Sequence, residues 1–341
     1  MSEIRYDRLH DRHVIIAPER LHRPECYTPK KRPLHHVQKC PFCEGNEALT
    51  PPEIYAVREP GSFPNEPGWK TRVVPNLYKA VQIETPDRHH YGMFEYHEGF
   101  GAHEVIIDTP EHRTSMAQWC EEEVVIWLKT LSERVADLRK DRRIAYLSLF
   151  KNEGPEAGAT QPHAHTQLIG LPVVPKMQSD YFTRAARHFQ THGKALLTTI
   201  IEYEESVGER ILDSAGDFTA FCPYASAFPF EIIIAAKTLK AQVDTLGEAQ
   251  FALLAPLLLK TLVKLEQQLG CFAFNLEIAT PPLRDDNGYD FANRAPDICR
   301  FMIRIMPRIY RLGGFEVSTG TIINPVSPEQ AAKLLRDAFN A

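Results

Sequence analysis

Pro162-His163-Ala164-His165-Thr166-Gln167 places three polar side chains at alternate positions. In a β-strand alternate residues share a face, about 6–7 Å apart, so His163, His165 and Gln167 are expected to line one surface. A bare His-x-His can equally be the wet side of an edge strand. The stretch upstream adds to it. Asn152-Glu153-Gly154-Pro155-Glu156-Ala157-Gly158-Ala159-Thr160 is a small-residue loop between two strand-like runs, able to bring backbone N–H groups to an anion. A loop of that kind abutting a paired-histidine strand is what a phosphate site with an imidazole nucleophile requires.

Cys40-Pro41-Phe42-Cys43 is the second feature. Two thiolates at this spacing can clasp one metal ion, but tetrahedral zinc needs four ligands and the chain has no second Cys-x-x-Cys. Histidines are the natural complement, and among the 14 present His112, just after a strand end, and His163 are the candidates. A redox dithiol and a pair of inert cysteines are the competing readings.

These residues must be held by a scaffold, and the apolar periodicity supplies one. Val124, Trp127, Leu128, Leu131, Val135 and Leu138 recur at three- and four-residue steps, as do Leu254, Leu258, Leu262, Leu265 and Leu269 before Gly270. Each series predicts a long amphipathic helix. Strand-like runs precede each helix (103–108 and 230–236), follow it (144–151 and 271–279), and close each half (161–171 and 299–306). The order strand, helix, strand, loop, strand thus occurs twice, predicting a duplicated α+β unit on a mostly antiparallel sheet. The boundary is placed between Pro175 and Lys194, with residues 1–177 and 178–341 as the units and a helical connector at 178–192. Proline-rich stretches at 24–41, 51–67 and 281–296 read as loops. Trp119, Trp127 and the leucine series read as core. His35-His36, His89-His90 and Arg284-Asp285-Asp286 read as solvated loop and turn residues.

Composition excludes several classes of protein. With 43% hydrophobic and 24% charged residues the chain is an ordinary globular one. A net charge of -5 gives no electrostatic reason to expect nucleic acid as a partner. The charged N-terminus lacks a signal-peptide core, and the longest apolar run, Phe251 to Leu259, is too short for a bilayer. No membrane association is therefore expected. Seven cysteines, an odd number, fit no disulfide framework, so a reducing cytoplasm is expected.

Seven landmarks in order then resemble the galactose-1-phosphate uridylyltransferase branch of the histidine-triad superfamily. They are Cys40-Pro41-Phe42-Cys43, Val73-Val74-Pro75-Asn76, Gly101-Ala102-His103-Glu104-Val105, Thr109-Pro110-Glu111-His112, Asn152 to Gln167, Pro223-Tyr224 with Pro229-Phe230-Glu231, and Gly314-Phe315-Glu316. The resemblance implies two histidine-triad-like domains and a ping-pong transfer of a nucleoside monophosphate from a nucleotide sugar to a sugar 1-phosphate or phosphate. His165 would form the covalent nucleotidyl intermediate, and Gln167, Asn152, Gly158 and Thr160 would hold the phosphate. Cys40, Cys43, His112 and His163 would bind one structural zinc ion. Asn76 would contact the base and Phe315-Glu316 the sugar. A homodimer, with the C-terminal half completing the partner's sugar site, is implied as well.

The pattern departs from the uridylyltransferases at definite points. Some members bind a second metal through a Glu after the nucleophile strand and C-terminal histidines; here Tyr181 and Phe274-Asn275-Leu276-Glu277-Ile278 stand there, so no second metal is expected. Asn76 is followed by Leu77 where an Asn-Asp pair contacts uracil, and Ile322 replaces a sugar-site Gln. These departures, with Gly314 to Pro325 and Leu171 to Pro175, look more like the ADP-glucose phosphorylase subgroup, which transfers adenylyl to inorganic phosphate. A zinc-braced nucleotide-binding module without turnover, and a dinucleotide hydrolase, are the other readings.

Overall fold

The computed structural model describes residues 1–22, 39–238, 242–284 and 291–338. Its strands are β1 (Glu3–Asp7), β2 (Arg12–Ile16), β3 (Tyr55–Arg58), β4 (Trp69–Pro75), β5 (His89–His90), β6 (Tyr96–His97), β7 (Ala102–Ile107), β8 (Tyr146–Glu153), β9 (His165–Leu171), β10 (Ile211–Ala215), β11 (Phe218–Phe221), β12 (Ile232–Ala236), β13 (Phe274–Ile278), β14 (Met302–Pro307) and β15 (Ile322–Asn324). The helices are α1 (Glu121–Leu138), α2 (Lys176–His192), α3 (Leu196–Val207), α4 (Glu248–Leu269), α5 (Phe291–Ile298), α6 (Gly314–Thr319) and α7 (Pro328–Asp337).

Ten strands form one sheet in the order β10-β11-β12-β14-β13-β8-β9-β7-β4-β3, and every pairing in it is antiparallel. Outward from the β8–β13 seam, each side lists its own five strands in the same chain order: fourth, fifth, third, second, first. Each side also inserts its long helix, α1 or α4, between its third and fourth strands. This is an α+β fold in which the predicted succession recurs on both sides of a shared seam.

Helix α1 buries Val124, Trp127, Leu128, Leu131, Val135 and Leu138, and α4 buries the predicted leucines against the same core. At about 25 cal/mol per Å² of apolar surface, stripes of this size are what fasten both helices to the sheet. The Cys120 N–H donates to Glu123 at 2.8 Å, and three acidic residues occupy the first turn of α1, where the helix dipole favours them. None of the described helices is long and apolar enough to cross a membrane.

Some expectations need correction. The stretch 51–67 contains strand β3, and 281–296 runs into α5. Arg284 is no free turn charge: it donates to the carbonyls of Arg142, Arg143 and Pro172 at 2.6, 2.5 and 3.0 Å. His89-His90 forms a small hairpin with Tyr96-His97, with His90 stacked on Tyr96 at 4.3 Å. His35-His36, Asp285-Asp286 and the Pro-rich stretch over 24–38 lie outside the described residues. Strands β1 and β2, which no sequence pattern before Cys40 marks, form a hairpin whose second strand pairs in parallel with β15.

Candidate active site and metal cluster

Strand β9 begins at His165, so His163 sits in the turn before it and does not share a strand face with His165 and Gln167. The turn places the His163 side chain beside the two cysteines. His163 Nδ1 stands 3.5 Å from Cys40 Sγ and 3.6 Å from Cys43 Sγ, and His112 Nδ1 stands 3.4 Å from Cys43 Sγ. All four donor atoms lie within 4.8 Å of one another, a Cys2His2 cluster able to hold a metal ion.

The local backbone explains how the cluster assembles. The Glu44 N–H donates to the Pro110 carbonyl at 3.0 Å, fastening the cysteine turn to the segment that carries His112. Asn46 closes the same turn by donating to the Cys40 carbonyl at 2.9 Å. His163 Nε2–H donates to the Thr109 carbonyl at 2.9 Å, which fixes the tautomer and turns the Nδ1 lone pair toward both sulfurs. Burial pushes His163 down to about 4, so it is a neutral ligand. Burial and the neighbouring Cys40 sulfur push the Cys43 thiol up, a cost that a bound cation would reverse.

His165 is 7% exposed. Its Nδ1–H donates to the His163 carbonyl at 2.9 Å, which leaves Nε2 as the free lone pair. Burial lowers its proton affinity, and the Lys151 charge acts in the same direction, which favours the neutral ring. Phe42, between the two cysteines, sets its ring against both imidazoles at 5.5 Å from His165 and 6.1 Å from His163. The cysteine turn and His165 are thus packed as one unit.

The opposite face of β9 carries a buried ion pair that the sequence reading missed. Lys151 Nζ lies 2.8 Å from Asp108, both side chains fully buried, and donates to the His165 carbonyl at 3.3 Å. Thr166 donates to the same Asp108 oxygen at 3.2 Å and accepts from Trp127 at 2.9 Å. Removing one member leaves the other charge buried alone. Lys151→Met is expected to cost about 3–5 kcal/mol by urea denaturation, whereas Lys151→Met with Asp108→Leu is expected to recover much of it. A single variant as stable as wild type would show that the pair does not act this way.

Asn152, on β8, accepts at Oδ1 from Asn275 Nδ2 at 2.8 Å, which leaves its own NH2 free to donate. The same Asn275 nitrogen donates to the Ala157 carbonyl at 2.8 Å, so the second half of the chain fixes the loop of the first. Asn275 gave no signal beyond being polar in a strand. Gly154 bends that loop at φ +83°, where a Cβ would stand 2.7 Å from Ala273 Cβ. Contrary to expectation, the N–H groups of Ala157, Gly158 and Ala159 go to the loop's own carbonyls. Thr160 and Gly158 are exposed at the loop surface.

Gln167 on β9 and Asn76 just after β4 both meet His103 on β7. Phe315 and Glu316 lie on α6. Glu316 caps that helix by accepting from the Gly313 N–H at 2.9 Å, and Phe315 is 46% exposed. Among the described residues, no hydrogen bond or ring contact joins either to the His165 cluster.

An antiparallel sheet backed by long helices, carrying a Cys2His2 cluster at the head of a strand that opens with a buried imidazole of fixed tautomer, is the make-up of a group-transfer enzyme. The chain belongs to the galactose-1-phosphate uridyl transferase family, whose N-terminal domain matches residues 1–175. It is 32% identical to the ADP-glucose phosphorylase of Arabidopsis thaliana over 98% of this chain and 92% of that one. It is 26% identical to the galactose-1-phosphate uridylyltransferase of Thermotoga maritima over 99% and 98% of the two chains. The crystal structure of an Arabidopsis thaliana ADP-glucose phosphorylase with bound ADP-glucose superposes with a TM-score of 0.81 at 30% identity, covering 99% of each chain.

Proposed function

We propose that this enzyme transfers a nucleoside monophosphate through a covalent nucleotidyl-His165 intermediate. The observation that carries the reading is the His165 ring itself: buried, neutral, and held through Nδ1–H by the His163 carbonyl so that Nε2 faces outward. In the first step Nε2 bonds to the α-phosphorus of a nucleotide sugar, and the bond from that phosphorus to the bridging oxygen breaks, releasing the sugar 1-phosphate. In the second, an oxygen of the acceptor phosphate bonds to the same phosphorus and the N–P bond breaks. The amides of Gln167 and Asn152 donate to the phosphate oxygens as charge develops there, with Gly158 and Thr160 at the rim.

The donor set of two thiolates and two imidazoles supports zinc as the ion. Zn–S of about 2.3 Å and Zn–N of about 2.0–2.1 Å in a tetrahedron put S and N about 3.5 Å apart. Three of the S–N separations, 3.4 to 3.6 Å, lie close to that value, and all four donor atoms lie within 4.8 Å of one another. Cys40, Cys43, His112 and His163 would hold the ion, and its role is to brace the turn whose carbonyl orients His165.

The adenylyl form is supported by the 32% identity and nearly full coverage shared with ADP-glucose phosphorylase, against 26% for the uridylyltransferase. The units 1–177 and 178–341 and a cytoplasmic homodimer whose C-terminal halves complete each other's sugar site belong to the same proposal, with Asn76 at the base and Phe315 and Glu316 at the partner's sugar. Intact-mass measurement after incubation with ADP-glucose or UDP-glucose tests it. ADP-glucose is expected to add one AMP at His165. A UMP adduct alone would favour uridylyl transfer, and no adduct with either donor would leave a binding module.

A further inference from the structure

His103 is claimed from three sides. Its Nδ1 lies 3.1 Å from the Ala80 N–H, and its Nε2 lies 2.9 Å from Asn76 Nδ2 and 3.1 Å from Gln167 Oε1. The backbone fixes two of these partners. The Ala80 N–H can only donate, so Nδ1 must accept and the single ring proton must sit on Nε2. The Tyr78 N–H, 2.8 Å from Asn76 Oδ1, orients that amide with its NH2 toward His103.

One proton cannot satisfy both neighbours at Nε2. With Nε2 protonated, it donates to Gln167 Oε1, and the Asn76 NH2 then faces a second donor at 2.9 Å. Donor against donor is repulsive, so the Asn76 NH2, with Oδ1 kept on the Tyr78 N–H, gains when a ligand brings it an acceptor. The Gln167 amide, held by its oxygen, meanwhile presents its NH2 away from His103.

We infer that His103 is a positioning residue that locks the Gln167 amide with its NH2 toward the nucleotide phosphate and releases the Asn76 NH2 to the ligand, coupling the two contacts through one imidazole. The inference rests on the nucleotidyl transfer proposed above. It makes Gln167 a preset donor, with no reorientation needed as negative charge grows on the phosphate.

Two measurements test it, and the first does not depend on turnover. In protein labelled with 15N-histidine, the His103 signal, assigned by its loss in H103L, is expected as the Nε2–H tautomer with a proton that shifts in Q167A. The Nδ1–H tautomer would overturn the inference. In the second, H103L is expected to slow adduct formation on His165 about tenfold to a hundredfold with little change in donor affinity, a split that loss of fold would not give. H103Q, whose side-chain amide can again donate at the Nε2 position, is expected to restore most of the rate. The effects of N76A and Q167A are expected to be non-additive in the wild-type background and additive in H103L. Wild-type rates in H103L, or equal rates in H103Q and H103L, would overturn the inference. Absence of any adduct in the wild type would instead refute nucleotidyl transfer, and the tautomer would still decide the role of His103.

Discussion

His165→Asn is expected to abolish the covalent adduct and to lower turnover by at least about 10⁴-fold, because removing a covalent nucleophile eliminates the pathway itself. Asparagine is the informative replacement. Its amide N–H can reproduce the Nδ1–H bond to the His163 carbonyl, 2.9 Å in the native site, while offering no nucleophilic nitrogen in place of Nε2. The turn, the metal cluster and Phe42 should therefore stay in place. Metal content and the thermal midpoint should match wild type, which ties the loss to chemistry. An adduct still forming in His165→Asn would move the nucleophile elsewhere and overturn the assignment.

The parts of this molecule that could be read before folding are those with a local period or a fixed spacing. Helices α1 and α4 follow from apolar residues on one stripe, because the 3.6-residue repeat leaves a mark whatever lies opposite. The metal set was legible because four ligand-type residues are a chemical requirement, and the cluster brings together the four residues expected. What escaped depends on partners far away in the chain. Strands β1 and β2 are short, and their parallel partner β15 comes from the opposite end of the sequence. Lys151 and Asp108 look like surface residues by type, since charged side chains are rarely fully buried, and only the fold places them in contact. Asn275 fixes Asn152 across the β8–β13 seam, a pairing between the two halves that neither half encodes alone. His163 shows the limit of a period-two argument. The strand starts two residues later than its pattern implies, and that offset leaves His163 beside the two cysteines while His165 opens the strand.

That division of labour sets the second large effect, loss of the metal. If the ion is held about a thousandfold more tightly than its free concentration requires, binding contributes about 4 kcal/mol to the folded state, and removal should lower the thermal midpoint by about 6 °C. Cys40→Ser and prolonged chelation are expected to act alike, since Cys40 is 4% exposed and its sulfur belongs to the cluster. Activity should fall with metal content. Without the ion, two sulfurs and two imidazoles lose their common partner, the His163 turn is freed, and the carbonyl that fixes the His165 tautomer goes with it. Elemental analysis, calorimetry and the adduct rate on the same samples decide the matter. His165→Asn should keep its metal and midpoint while losing the adduct, whereas Cys40→Ser should lose all three. A metal-free protein that retains both midpoint and adduct rate would show that Phe42 and the Glu44 to Pro110 hydrogen bond hold the turn without help.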